Sequence, residues 1–130
     1  MFKINLAFGY RTWYFCSMSP TFKILYLFES STLFIVEVKR LDLPENADLS
    51  DLYQWLYLDR QSGAFIKLWF NSMDSSPAVE ERYFEQGYLK FNEGQATFIE
   101  KYNSAQHSLI NKTKNKPDPK LLTLLEDYFS

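Results

Sequence analysis

Residues 34–58, which read FIVEVKRLDLPENADLSDLYQWLYL, constrain the fold of this 130-residue chain more than any other segment. The segment begins with a run of apolar and β-branched residues that is typical of a buried strand. Pro44 has no N–H group to donate to a sheet, so the strand must end before it. The apolar residues that follow fall at helical spacing: Leu49, Leu52, Tyr53 and Leu56. The segment therefore predicts a strand, a stop at Pro44 and an aromatic helix that carries Trp55.

The first 40 residues predict further strands. Aromatic and β-branched residues concentrate in residues 2–8, 12–17, 22–28 and 33–39, and turn-forming residues separate these runs. Such short connections favour antiparallel pairing of neighbouring strands. We therefore expect an N-terminal antiparallel β-meander of about four strands.

The rest of the chain has helical spacing. Residues 64–70, AFIKLWF, are compatible with either a strand or a helix. From Ser76 onward apolar residues recur every three or four positions as far as Ile110, and Asp118 followed by Pro119 marks the start of a last helix. We therefore predict one α+β domain over residues 1–130, with mainly strands in residues 1–41 and a helical C-terminal half in residues 46–130.

Cysteine and histidine each occur once, as Cys16 and His107. A disulfide within the chain and a thiolate zinc cluster are therefore excluded, and a reducing cytoplasm fits best. His107 lies outside the apolar face of its predicted helix, so we expect a solvated surface histidine. We also expect no metal and no cofactor. We expect no membrane span, because the uncharged run at residues 12–22 is shorter than the roughly 18–20 residues that a bilayer needs.

Charge is unevenly distributed along the chain, although the net charge is −2. Residues 42–100 carry four basic and eleven acidic side chains, a local charge of −7 (4 − 11). An acidic surface repels nucleic acid, so direct nucleic-acid binding is not expected, but it can imitate nucleic acid toward a basic protein. The side chains that would form such an acidic face are Asp42, Glu45, Asp48, Asp51 and Asp59.

Glu37 and Lys39 lie two residues apart on the predicted strand, so both point to the same face. Metal-dependent nucleases of the PD-(D/E)xK type place a carboxylate and a lysine in this way, to hold Mg²⁺ and to act on water. Such a site also needs an acid from the preceding strand, near residues 21–24, and Thr21 stands there instead. The nuclease alternative therefore lacks one metal ligand.

The sequence after this strand resembles a known family. LDLP at residues 41–44, and LYQWLYL at residues 52–58 after a polar stretch, are similar to the distal part of the PD-(D/E)xK transposase-like nucleases, the recombination-promoting nuclease family. The resemblance covers residues 22–111 and departs from the family pattern at Asp42, Glu45 and Leu58. Because the catalytic half of the family lies upstream of this region, the resemblance implies a relative without the nuclease centre.

We interpret the chain as a non-catalytic protein-interaction or regulatory domain that acts by protein–protein contact, as an inhibitor or a self-association module. Its partner would be another protein or a second copy in a homodimer. Because aromatic residues dominate interface energetics, the predicted contact residues are Trp55, Tyr57, Leu58, Trp69 and Phe70. Two alternatives stay open: a metal-dependent nuclease remnant that uses Glu37 and Lys39, and an acidic inhibitor that mimics nucleic acid.

Overall fold

The computed structural model describes residues 21–70, 81–92 and 94–130. Within them, eight antiparallel strands form one sheet that curves into a nearly closed barrel. The strands are β1 (Phe22–Glu29), β2 (Leu33–Arg40), β3 (Tyr53–Asp59), β4 (Phe65–Leu68), β5 (Glu81–Phe84), β6 (Gly87–Asn92), β7 (Gln95–Glu100) and β8 (Gln106–Asn111). The helices in the described residues are α1 (Leu49–Leu52), a single turn, and α2 (Pro119–Phe129), which packs against the outside of the barrel.

The strands follow one another around the barrel in sequence order. β1 pairs with β2 through Leu27 and Val36, and it pairs with β8 through Phe28 and Asn111. The resulting order β4-β3-β2-β1-β8-β7-β6-β5 leaves β4 and β5 at the two ends of the sheet. These two ends meet along a line that we call the seam.

The seam is joined by a backbone hydrogen bond, from the N–H of Glu85 to the carbonyl oxygen of Trp69 at 2.8 Å, and by one side chain, rather than by a continuous main-chain ladder. Phe70 and Phe84 form a single antiparallel bridge across it. The side-chain amide of Gln86 makes two further hydrogen bonds to the opposite backbone: its Nε2 donates to the carbonyl oxygen of Lys67 at 3.0 Å, and its Oε1 accepts from the N–H of Trp69 at 3.3 Å. Gln86 thus satisfies backbone groups that a neighbouring strand would otherwise pair.

The interior of the barrel is a packed apolar core. Alternate residues of each strand face inward, so Leu33 and Ile35 of β2 enter the interior while Phe34 and Val36 face outward. The buried interior residues are Phe28, Leu33, Ile35, Trp55, Leu68, Phe84, Leu89, Ala96, Phe98 and Leu109. Side chains therefore fill the middle of the barrel, as an eight-stranded barrel permits.

Helix α2 forms a second core on the outer face of β1, β2 and β3. Its start is fixed by Asp118, whose side chain accepts from the N–H of Lys120 at 2.8 Å, and by Pro119 at the first helical position. The buried residues of this outer core are Leu27, Phe34, Val36, Val38, Leu56, Leu58, Leu121 and Leu125. β2 and β3 are consequently buried on both faces.

The predicted α+β class with a helical C-terminal half is wrong. Helix α1 ends after one turn and Trp55 lies on β3, while the described residues from 81 to 111 form four strands. The inward side chains there alternate with a period of two, as in the buried Ala96 and Phe98 or the partly buried His107 and buried Leu109, and each strand is hydrogen-bonded to its neighbour. Tertiary pairing has overridden the helical spacing that local sequence suggested.

Three local predictions are confirmed. Residues 22–28 and 33–39 lie within β1 and β2, and the last helix begins after its Asp118 cap. The ambiguous segment contains a strand, β4, at Phe65–Leu68. The strands predicted at residues 2–8 and 12–17, together with Cys16 and the helix start at Ser76, lie outside the described residues.

Leu125→Ala is expected to lower the free energy of unfolding by about 2–5 kcal/mol, because it leaves a cavity between α2 and the sheet. Leu125 is fully buried, whereas Leu49 of α1 is 68% exposed. Leu49→Ala removes the same atoms from a solvated site and should cost less than about 1 kcal/mol. Urea unfolding followed by circular dichroism measures both values, and equal losses would contradict the packing of α2.

Candidate functional site

One end of the barrel carries polar side chains above the apolar interior. We call it the open mouth and define it by Tyr57, Asp59, Phe98, Glu100 and His107. Tyr57 and Asp59 alternate on β3, Phe98 and Glu100 alternate on β7, and His107 of β8 is the register partner of Phe98. Since alternate residues of a strand share a face, barrel closure brings these five side chains to one place.

His107 and Glu100 form a close polar pair at the open mouth. Nε2 of His107 lies 2.6 Å from Oε2 of Glu100, and both side chains are partly buried. The imidazole also lies 6.3 Å from the ring of Phe98, centroid to centroid. A carboxylate at one ring nitrogen fixes the orientation of an imidazole. The predicted solvated histidine on a helix is therefore wrong, because residue 107 is on β8 and faces its neighbours in the barrel.

Tyr57 lies close enough to both Glu100 and Asp59 for their charges to act on its phenol. Its ring lies 5.7 Å from the ring of Phe98 and packs against the interior core. Burial raises the pKa of Tyr57 above its ordinary value, and the negative charges of Glu100 and Asp59 raise it further. At neutral pH the phenol is therefore protonated and able to donate a hydrogen bond beside two carboxylates.

Two grooves meet at the open mouth, and Tyr57 and Asp59 line both of them. The first groove has a volume of about 630 Å³ and reaches the β1–β2 turn, Arg60, His107 and Lys120. The second groove has a volume of about 420 Å³, and its other linings include Ala64, Ile66, Leu68, Gln86, Phe98 and Glu100. Volumes of this size are typical of sites for small organic molecules.

The two grooves differ in charge. The first has two basic lining residues, Arg60 and Lys120, together with Asp59. Arg60 is already engaged, because its Nη1 lies 3.2 Å from Oε2 of Glu29. The second groove has Asp59 and Glu100 and no basic residue among its linings in the described part of the chain. The second groove is therefore the electronegative one.

An aromatic cluster surrounds Glu37 toward the opposite end of the barrel. Tyr26, the register partner of Glu37, stacks on Trp55 with ring centroids 6.0 Å apart, and Arg82 lies 5.4 Å from the ring of Phe91. Burial raises the pKa of Glu37, while the charge of Arg82 and a hydrogen bond from Trp55 offset part of this rise. Glu37 is thus a half-buried carboxyl held among aromatic rings.

Glu37 and Lys39 share one face of β2, but the opposite strand supplies no acid to them. Their register partners in β1 are Tyr26 and Lys23, because a bulge after Ile24 shifts the pairing. Among residues 21–70, 81–92 and 94–130, no three His, Cys, Asp or Glu side chains are grouped so as to hold a metal ion. The geometry therefore assigns no metal position to the nuclease alternative within these residues.

The predicted contact residues fall into different environments. Trp55 and Leu58 are 2% and 0% exposed, in the interior core and the outer core respectively. Tyr57 is half-buried at the open mouth, whereas Trp69 and Phe70 are 47% and 41% exposed at the seam. The prediction that Trp55 and Leu58 contact a partner assumed a helix on which both would be exposed. On β3 the interior core covers Trp55 and the outer core covers Leu58. These two residues therefore have no surface to offer a partner.

The predicted acidic face is divided between the two ends of the barrel. Four of its members lie in the segment that connects β2 to β3: Asp42, Glu45, Asp48 and Asp51. Asp59 lies at the far end of β3, and a strand of seven residues spans roughly 20–24 Å. Asp42 also pairs with Arg40 at 2.6 Å, and that hydrogen bond lowers the pKa of Asp42. The five carboxylates do not form one continuous surface.

No family model, no curated protein and no solved structure matches this chain. The described helices include none that is long and apolar enough to cross a lipid bilayer. The nuclease resemblance therefore stays a prediction.

Glu37→Gln is expected to gain stability relative to the wild type as the pH rises. Because the folded-state pKa of Glu37 is raised, its stabilising contribution is complete below the unfolded-state pKa and is lost as the pH passes the folded-state pKa. The glutamine variant has no such loss, so the difference in unfolding free energy should move in its favour as the pH rises above the ordinary glutamate pKa of 4.5. Urea unfolding at several pH values measures this difference. The exposed Glu45→Gln is the control, and the same pH response in both variants would contradict a role for burial.

Proposed function

We propose that this protein binds a small amphipathic molecule at the open mouth and does not transform it. The observation that carries the proposal is the meeting of two grooves, of about 630 and 420 Å³, at Tyr57 and Asp59. Small-molecule sites are concave and mostly apolar, with a few placed polar groups. Because side chains fill the interior of the barrel, the proposed ligand lies at the mouth rather than inside.

The apolar part of such a ligand has a surface to cover in the second groove. Ile66 pairs with Tyr57 and so shares its inward face, yet Ile66 is 52% exposed. Beside it the groove is floored by Leu68 and Phe98, which are buried. Covering apolar surface stabilises a complex by roughly 25 cal/mol per Å². An uncovered isoleucine on an inward face therefore supports binding of an apolar group there.

The polar groups of the open mouth support binding rather than covalent catalysis. Nucleophilic catalysis with a histidine base needs a hydroxyl or thiol in hydrogen-bond contact with the imidazole. Among the residues that the structure describes, the hydrogen-bond partner of His107 is Glu100. The pair and the phenol of Tyr57 are suited to orient a polar head group. We also propose a cytoplasmic location. A chain with one cysteine forms no internal disulfide and so does not depend on an oxidising compartment.

The neutral dye Nile red is expected to bind the wild type saturably, with a rise in fluorescence as it enters an apolar site. Ala64→Trp, which places an indole in the second groove, should weaken this binding by about tenfold or more, a loss of about 1.4 kcal/mol. Ala47→Trp makes the same change in the β2–α1 connection and should leave the affinity unchanged. Absence of binding, or equal binding by both variants, would contradict a site at the open mouth.

We propose a second function, protein–protein contact through the seam, because aromatic side chains are exposed on both of its sides. Trp69 and Phe70 follow β4, and Tyr83 lies opposite on β5 with 46% of its surface exposed. Neighbouring exposed aromatics are typical of interaction surfaces. The partner would be a second copy of this chain or another protein.

Trp69→Ala is expected to weaken self-association by about thirtyfold, since loss of a central interface tryptophan costs about 2 kcal/mol or more. Light scattering over a concentration series measures the association of wild type and variant. Tyr128→Ala removes another exposed aromatic, on α2, and should have no effect. A wild type that stays monomeric at every concentration would overturn self-association through the seam.

A further inference from the structure

The second groove combines an apolar lining with two carboxylates that retain unused acceptor atoms. Oδ1 of Asp59 accepts from the N–H groups of Gln61 at 2.9 Å and Ser62 at 3.4 Å. Oε2 of Glu100 pairs with His107. In the part of the chain that the structure describes, the second oxygen of each carboxylate accepts no hydrogen bond. Each carboxylate therefore has an oxygen left for a donor that enters the groove.

Aromatic rings of the same groove suit a positively charged guest. Tyr57, Phe98 and Tyr102 all line it, and an aromatic face attracts a cation within about 6 Å of its centroid. Lys101 lies at 5.9 Å from the ring of Tyr102, outside the lining of the groove. That contact occupies one ring at the rim and leaves the half-buried ring of Tyr57 to a ligand, with Phe98 buried beneath it.

We infer that the ligand of the open mouth is an organic amine, with its protonated nitrogen between Asp59 and Glu100 and its apolar body against the exposed Ile66, above the buried Phe98. The inference rests on the proposed function and names the chemical class of its ligand. Charge complementarity decides the class, because an ammonium group donates to both free carboxylate oxygens while an anion is repelled by them. Arg60 and Lys120 line the first groove, which Asp59 shares, whereas Glu100 lines the second groove alone.

Three probes with one apolar body test the inference: 4-phenylbutylamine, 4-phenylbutanol and 4-phenylbutyrate. Isothermal titration at neutral pH gives their affinities for the full chain. The amine should bind about tenfold or more tighter than the alcohol, the factor expected from one hydrogen bond to a charged group, and the carboxylate should bind most weakly. Chemical shifts of Phe98 in the labelled protein report whether the probes enter the second groove.

Charge-removing variants locate the cation. Asp59→Asn and Glu100→Gln should each lower the affinity for the amine by about tenfold and lower the affinity for the uncharged alcohol by a clearly smaller factor. Asp48→Asn removes the same charge at the opposite end of the barrel and should change neither. If these variants weaken the amine and the alcohol equally, the cation does not lie between these carboxylates and the inference is overturned.

The outcomes separate this inference from the function on which it rests. Equal affinities of amine and alcohol for the wild type would overturn the amine class and leave small-molecule binding in place. Tightest binding of the carboxylate would overturn it in favour of an anion. Binding of none of the three probes, with no shift at Phe98, would overturn both the proposed function and this inference.

Discussion

β2 is apolar on both faces, and the architecture follows from the need to cover both. Its residues Leu33, Phe34, Ile35 and Val36 are each at most 4% exposed. A strand of this kind needs a layer of structure on each side. The far wall of the barrel covers the inner face, and α2 covers the outer face. Because side chains fill the interior that results, the grooves lie at the mouth of the barrel rather than at its centre.

The parts of the fold that could be predicted are those with a strong local signal. β2 is a continuous apolar run, and α2 starts at an Asp118–Pro119 pair that caps a helix on its own. β5 to β8 have no such signal, since Tyr83, Tyr88 and Phe91 satisfy a helical spacing as well as a strand. Their strand identity comes from pairing, which local spacing does not reveal: β5–β6, β6–β7 and β7–β8 are hairpins between strands adjacent in sequence, and β8 also pairs with the distant β1.

The candidate site was less accessible to prediction than the fold. The shared face of Glu37 and Lys39 follows from strand periodicity, and the structure agrees. The neighbouring Arg82 comes from β5, and no local pattern places it there. His107, Glu100, Asp59 and Tyr57 come from three strands, and barrel closure brings them together. The alternation of His107 with Leu109 is a local sign of a strand with His107 on its inward face, but the predicted helix over these residues obscured it.

The position of α2 has a consequence for how the chain acquires its structure. β1 to β3 are completed by residues far along the sequence, as in the hydrogen bond at 3.2 Å from the N–H of Leu27 to Thr113, 86 residues away. Contacts of such long range slow the completion of the barrel, because a large loop has to close before they form. Until residues 119–129 dock, Phe34, Val36 and Val38 form a bare apolar strip on a paired sheet. Partly folded chains of this protein are therefore prone to aggregate. They stay so until α2, which is synthesised after the eight described strands, docks on the sheet.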